Sequence, residues 1–176
     1  MKSLTQHLTQ YAAYHRDKRN IATHFIGIPM IVFAVMILLS RPGFDLAGAL
    51  ISPALLVAFA SIYFYLKLDT RFGVVMGLLF TIGLWSAAPI AQASTSTWLG
   101  WGIGLFFIGW VIQFIGHYYE GRKPAFVDDL VGLIVGPLFV VAELGFMLGM
   151  RNEVRREIEQ EVGPTILRDM NAKTPS

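Results

Sequence analysis

An all-α, polytopic membrane bundle is the fold class this sequence predicts. Two observations carry it: apolar runs long enough to cross a bilayer, and positive charge gathered into alternate connections between them. A spanning helix needs roughly 20 mostly apolar residues, because about 30 Å of hydrocarbon is crossed at about 1.5 Å per residue. Residues 21–40 carry no Asp, Glu, Lys or Arg and one histidine. Residues 46–66, 74–91 and 98–119 are similarly free of carboxylates and amines, which gives four transmembrane helices.

The connections sort by charge. Lys2, Arg16, Lys18 and Arg19 precede the first span, Lys67 and Arg71 separate the second from the third, and Arg122 and Lys123 follow the fourth. The connection AQASTSTW between the third and fourth has no charge, which suits the far side under the positive-inside rule. The last apolar stretch, 130–150, disturbs this pattern if it is a fifth span, because Arg151, Arg155, Arg156, Arg168 and Lys173 would then lie outside. Gly136 and Pro137 suggest instead a re-entrant helical hairpin, since proline removes an amide donor and clashes with the preceding turn. With the hairpin, only Arg41 of the 14 basic residues falls on the far side.

The expected organisation is one membrane-embedded domain over 1–176. It comprises an amino-terminal interfacial helix in 1–20, the helical bundle in 21–150 and a cytoplasmic tail in 151–176. The tail predicts a charged carboxy-terminal helix to Val162, stopped by Gly163 and Pro164 and followed by a frayed end. The first twenty residues are polar and lack a signal-peptide pattern, so the first span is expected to be retained. The reading places the site and both termini on the cytoplasmic side, and the compact chain suits a bacterial inner membrane. No nucleic-acid partner is expected, and oligomeric state is left open.

Chemistry must come from few groups. There is no cysteine, so a metal would need nitrogen or oxygen ligands. Of the four histidines, His24 lies about one turn inside the first span and His117 about one turn from the end of the fourth. Gln113, His117 and Glu120 fall at i, i+4 and i+7 and so share one helical face. A polar face on an apolar helix usually looks into a bundle interior or a cavity. Glu120 also fits charge pairing with Arg122 and Lys123, and Glu143 fits an orienting partner for a nearby histidine or arginine.

His15 and His24 are nine residues apart, which in an unbroken helix means about 900° of rotation and roughly 13 Å of rise. A shared metal, bound at about 2 Å, therefore predicts a break between Arg16 and Ile21. Asn20 would then cap the new helix or contact substrate. His7, Tyr11, Tyr14 and His15 form an interfacial stripe on the first helix, and His7 reads as a surface residue. Pro29, with Gly27, reads as a kink in the first span.

The segments HRDKRNIATHFIGIP and QFIGHYYEGRKPAF carry the patterns HxxxxNxxxHxxGxP and, with the glutamate one residue closer to its histidine, QxxGHxxxExxxPA. In that order they resemble the 2-hydroxy fatty acid dioxygenase family of the endoplasmic reticulum and its bacterial relatives, over nearly the whole chain. The resemblance implies a membrane-embedded, iron(II)-dependent oxygenase. It would use dioxygen to shorten a long-chain 2-hydroxy fatty acid by one carbon, with loss of carbon dioxide and without 2-oxoglutarate. It implies His15, His24 and His117 as iron ligands, with Glu120 a further catalytic candidate. Asn20 and Gln113 become candidates for substrate contact, and Arg19, Arg122 or Lys123 for neutralising the carboxylate. In a eukaryote the endoplasmic reticulum would be the compartment.

Two other readings use the same groups. A zinc-dependent lipid hydrolase would load zinc on the histidines and use Glu120 or Glu143 as general base. A non-enzymatic proton or solute path would use Glu143 and His117 as relay groups.

Overall fold

The computed structural model describes residues 2–47, 49–124 and 130–170. The described chain is predominantly helical: α1 (Leu4–Ala12), α2 (Lys18–Ser40), α3 (Pro53–Leu68), α4 (Thr70–Gln92), α5 (Thr95–Glu120), α6 (Gly132–Met147) and α7 (Asn152–Val162). Between α2 and α3 a short antiparallel hairpin pairs β1 (Phe44–Leu46) with β2 (Ala49–Ile51), Asp45 opposite Leu50. Three helices, α2, α4 and α5, are long and apolar enough to cross a membrane. A polytopic all-α membrane protein is therefore the fold class. Apolar side chains that would be costly in water stay exposed on these helices, among them Leu78, Ile82, Trp85, Phe107 and Phe114.

Three expectations about boundaries change. The second apolar run is not one helix: Ser52 caps Leu55, Pro53 opens α3, and Phe44–Leu46 pairs with Ala49–Ile51 instead. At 16 residues α3 is a shorter apolar helix than the 46–66 span predicted. The re-entrant turn expected at Gly136–Pro137 is absent, because α6 runs straight through both. Pro137 sits in the second turn, where its missing amide leaves the rest of the ladder intact. The bend comes later, between α6 and α7, whose axes turn by 112°. Gly149 and Arg151 make that turn with positive φ. The charged helix ending at Val162 and Gly163 is where the sequence puts it.

The chain divides into two compact units, Met1–Ile26 with Ile112–Ser176, and Gly27–Val111. In the second, α3 packs on α4, and the Trp98 indole donates to the Ile37 carbonyl (2.9 Å) while Arg41 lies over the Trp98 ring. In the first, α1 packs on α6 and α7. Its buried core includes Leu8, Ala12, Leu138, Phe139 and Ala142, and every histidine of the chain lies in this unit.

Candidate metal centre

His15 stands on no helix. Ser3 and Gln6 form a reciprocal cap at the start of α1, and the helix ends at Ala12, where Tyr14 and His15 donate back to the Tyr11 and Ala12 carbonyls. The chain then runs extended until α2 opens at Lys18. The break required for His15 and His24 to meet therefore spans residues 13–17, which includes Arg16 and Asp17 of the expected window from Arg16 to Ile21 and begins before it. Its physical cause is Asp17, the one acidic residue before Asp45, whose carboxylate accepts from the Arg19 amide (2.8 Å) and caps α2. Asn20 is accordingly not the cap. It lies in the first turn of α2, fully buried, and donates from Nδ2 to the Tyr14 carbonyl (3.2 Å) and the Glu120 carboxylate (3.0 Å).

The turn brings three buried imidazoles together. Ring centroids lie 4.4 Å apart for His15 and His24, 5.0 Å for His15 and His117, and 5.1 Å for His24 and His117. One ring nitrogen of each falls within 4.8 Å of the others. Tyr11 stacks flat on His15 at 4.2 Å, and Phe139 lies 5.5 Å from the His15 ring and 4.9 Å from the Tyr11 ring. His7 is buried as well, at 8% exposure, which corrects its assignment to the surface, and it is not in the cluster.

Proton bookkeeping decides what the cluster is for. Nδ1 of His15 faces the Tyr11 carbonyl at 2.6 Å, and Nδ1 of His24 faces the Asn20 carbonyl at 2.8 Å. A carbonyl only accepts, so both Nδ1 atoms carry the proton and both Nε2 atoms present lone pairs. Those two lone pairs face each other across 2.9 Å. A hydrogen bond there would need one ring to be an imidazolium, yet burial, and then the neighbouring His24 ring, hold the His15 pKa well below the ordinary value. A cation between them resolves the conflict. Two imidazole nitrogens bound at about 2.1 Å and at right angles would stand about 3.0 Å apart. His117 adds a third ring, and its Nδ1 is buried with no hydrogen-bond partner among the described residues. The donor set thus fits one transition-metal ion with three imidazoles and open positions.

The supporting groups differ from the sequence expectation in emphasis. Glu120 is buried and lies outside the cluster. Its carboxylate accepts from the amides of Arg16 (2.9 and 3.0 Å) and Asp17 (2.8 Å), so it fastens the extended segment beside His15. Gly116 permits that approach, since a Cβ there would collide with the side chains of Thr23 and Asn20. Gln113 is buried, and its Nε2 lacks a partner among the described residues, as does Oδ1 of Asn20. Arg19 is engaged by Asp17 (2.7 Å) and the Arg168 carbonyl (2.7 Å) and lies over the Tyr119 ring. Arg122 donates to the Ala13 carbonyl at 2.6 Å, and Lys123 is exposed. Glu143 stands 3.9 Å from the Arg16 guanidinium. Asp17, Tyr11 as a stacking partner and Phe139 emerge only from the structure. A lone acid inside HRDKRN was the available signal for the first.

A cavity of about 330 Å³ opens beside α2, lined by Ile21, Ala22, Phe25, Phe146 and Met147 with Lys18 and Arg155.

Fold and site together define a helical membrane protein with a buried three-histidine, metal-capable centre. The chain belongs to the Mpo1-like family, described as 2-hydroxy-palmitic acid dioxygenase Mpo1-like, which matches residues 1–148. It is 33% identical over 161 residues to the 2-hydroxy-palmitic acid dioxygenase MPO1 of Saccharomyces cerevisiae, covering 90% of this chain and 89% of that protein. No solved structure matches the chain.

Proposed function

We propose that this protein is a membrane-embedded dioxygenase of long-chain 2-hydroxy fatty acids, with iron(II) held by His15, His24 and His117. The observation that carries the reading is the pair of facing Nε2 lone pairs at 2.9 Å, in a chain that belongs to a family described by that activity. Imidazole suits iron(II), and three ligands leave positions for substrate and dioxygen. Bound there, the ion would supply the redox and Lewis-acid chemistry that imidazoles alone lack. The overall change consumes one dioxygen. The bond between the carboxyl carbon and C2 breaks, C2 becomes the new carboxyl, and carbon dioxide and water leave. Substrate gives up four electrons and dioxygen takes four, so no further reductant is needed.

The chain's own residues set the stage for that change. The Tyr11 and Asn20 carbonyls fix the tautomers of His15 and His24, and Tyr11 and Phe139 keep water from one side of the cluster. Gln113 Nε2, which has no partner among the described residues, is a donor suited to a substrate hydroxyl or carboxylate. Arg19 and Arg122, already spent on protein oxygens, suit that task less well than the sequence alone suggested. The apolar cavity beside α2 suits the acyl chain, because Ile21 and Phe25 flank His24 along the helix. The placement of basic residues supports a cytoplasmic side for this end of the protein.

The hydrolase reading loses its base in this arrangement. Glu120 is committed to two amides and Asn20, and Glu143 stands beside Arg16. The test is to purify the protein without oxygen, load iron(II), and supply a long-chain 2-hydroxy fatty acid with dioxygen. Iron-dependent oxygen uptake with the one-carbon-shorter acid is expected. Absence of both, or lipid hydrolysis with bound zinc, would contradict the proposal. Ala22→Phe, which fills the cavity, should raise KM more for longer chains than for shorter ones; an equal change for all lengths would remove the cavity from the account.

A further inference from the structure

Residues 163–168, which the sequence suggests are the start of a frayed end, lie extended against the turn that carries His15. The Ile166 amide donates to the Arg16 carbonyl (2.9 Å), and the Ile166 carbonyl accepts from the Lys18 amide (2.9 Å), making a parallel bridge across Asp17. The Arg168 amide donates to the Asp17 carboxylate (2.8 Å), and the Arg168 carbonyl accepts from the Arg19 guanidinium (2.7 Å). At the other end, the Arg16 guanidinium joins the Gly163 carbonyl (2.9 Å) to the Ala12 (2.9 Å) and His15 (3.0 Å) carbonyls. The Arg168 side chain rests on Gly121, directly after Glu120, where a Cβ would strike its guanidinium.

This matters because residues 15–17, which carry the first histidine of the cluster, belong to no helix. Asn20 and Arg122 hold the Tyr14 and Ala13 carbonyls just before them, and Glu120 fastens one side of the segment through the Arg16 and Asp17 amides. A metal ligand must be held within about 0.5 Å to keep its geometry. The strap fastens the opposite side, at the Arg16 carbonyl, the Asp17 carboxylate and the Lys18 amide, and it lies beyond residue 148, where the family match ends.

We propose that Gly163–Arg168 is a positioning strap for His15: by pairing with Arg16–Lys18 it holds the turn in the conformation that aims the His15 imidazole at the other two. The proposal rests on the three-histidine metal reading. Ile166 is half exposed, so Ile166→Pro removes one amide donor without disturbing a core, while Ile166→Val keeps that amide.

The experiment titrates the metal-free full chain, Ile166→Pro, Ile166→Val and a chain ending at Val162 with Co(II), read by visible absorption. Far-ultraviolet circular dichroism and hydrogen–deuterium exchange of residues 13–18 are recorded in parallel. Ile166→Pro and the shortened chain should bind Co(II) about 10- to 100-fold more weakly at unchanged helix content. They should exchange faster at 13–18, and Ile166→Val should match the full chain. Should the shortened chain fail to fold, Ile166→Pro alone decides. Equal Co(II) affinity and equal exchange in both variants and the full chain would overturn the strap. If the full chain itself takes up no Co(II), the metal reading fails, and exchange at 13–18 then decides whether the strap holds the turn.

Discussion

His15 and His24 turn their Nε2 atoms toward each other at 2.9 Å while their Nδ1 protons are spent on the Tyr11 and Asn20 carbonyls. Two neutral, buried imidazoles so arranged repel unless a cation sits between them. The surrounding structure is arranged to keep them there. α1 stops at Ala12, Asp17 starts α2, and Glu120 reaches across from α5 to hold the amides between.

Glu120 should therefore behave as a positioning residue. Glu120→Gln keeps the shape but weakens charge-assisted bonds to the Arg16 and Asp17 amides, at about 2 kcal/mol of stability. Metal content should stay near that of the unaltered protein, with activity lowered about 10- to 100-fold. Metal analysis beside thermal unfolding in detergent checks this. Complete loss of metal would make Glu120 a ligand instead.

The contact at Gly116 is testable by adding one methyl. Gly116→Ala drives a Cβ into Thr23 and Asn20, and overpacking of this kind costs about 1–3 kcal/mol. Gly104 has nothing within 4 Å of its Cβ position, so Gly104→Ala in the same helix should stabilise by up to about 1 kcal/mol. Paired melting curves should move in opposite directions; movement in the same direction would contradict the close approach at Gly116.

Asp17 links the strap to pH. Burial pushes its carboxyl up, but the Arg19 side chain and the Arg168 and Arg19 amides outweigh that and hold it at about 2, against 3.8 for a free carboxyl. A depressed folded pKa means the contribution is complete above about pH 4 and is lost as pH falls toward 2; its size is roughly 2 kcal/mol. Asp17→Asn should accordingly destabilise the protein at pH 6, with the gap to the unaltered chain closing as pH approaches 2. A gap independent of pH would show that the charge of Asp17 is not what matters.

Much of this was legible before any coordinates. The apolar runs announce the α2, α4 and α5 spans because hydrocarbon thickness sets their length. The nine-residue spacing of His15 and His24 demands a break, since a continuous helix cannot bring both to one ion. The location of the break was harder to read. Asn20 and Asp17 are both good caps, and only the long-range bonds from Glu120 and Arg168 favour the earlier start. Pro137 removes one amide bond inside α6 yet the helix continues past it, whereas the bend at Gly149 and Arg151 rests on positive φ that pattern alone does not announce. The extended strap is illegible for a similar reason: on its own side every one of these bonds is made by backbone groups, across about 150 residues, and no side-chain periodicity marks them.

The central claim is that His15, His24 and His117 hold one metal ion. X-ray absorption of the iron(II)-loaded protein tests it most directly. One iron per chain is expected, with three imidazole nitrogens at about 2.1 Å, one of them lost in each of His15→Ala, His24→Ala and His117→Ala, and all three kept in His7→Ala. Iron that is absent, or whose imidazole signal survives all three substitutions unchanged, would contradict the account.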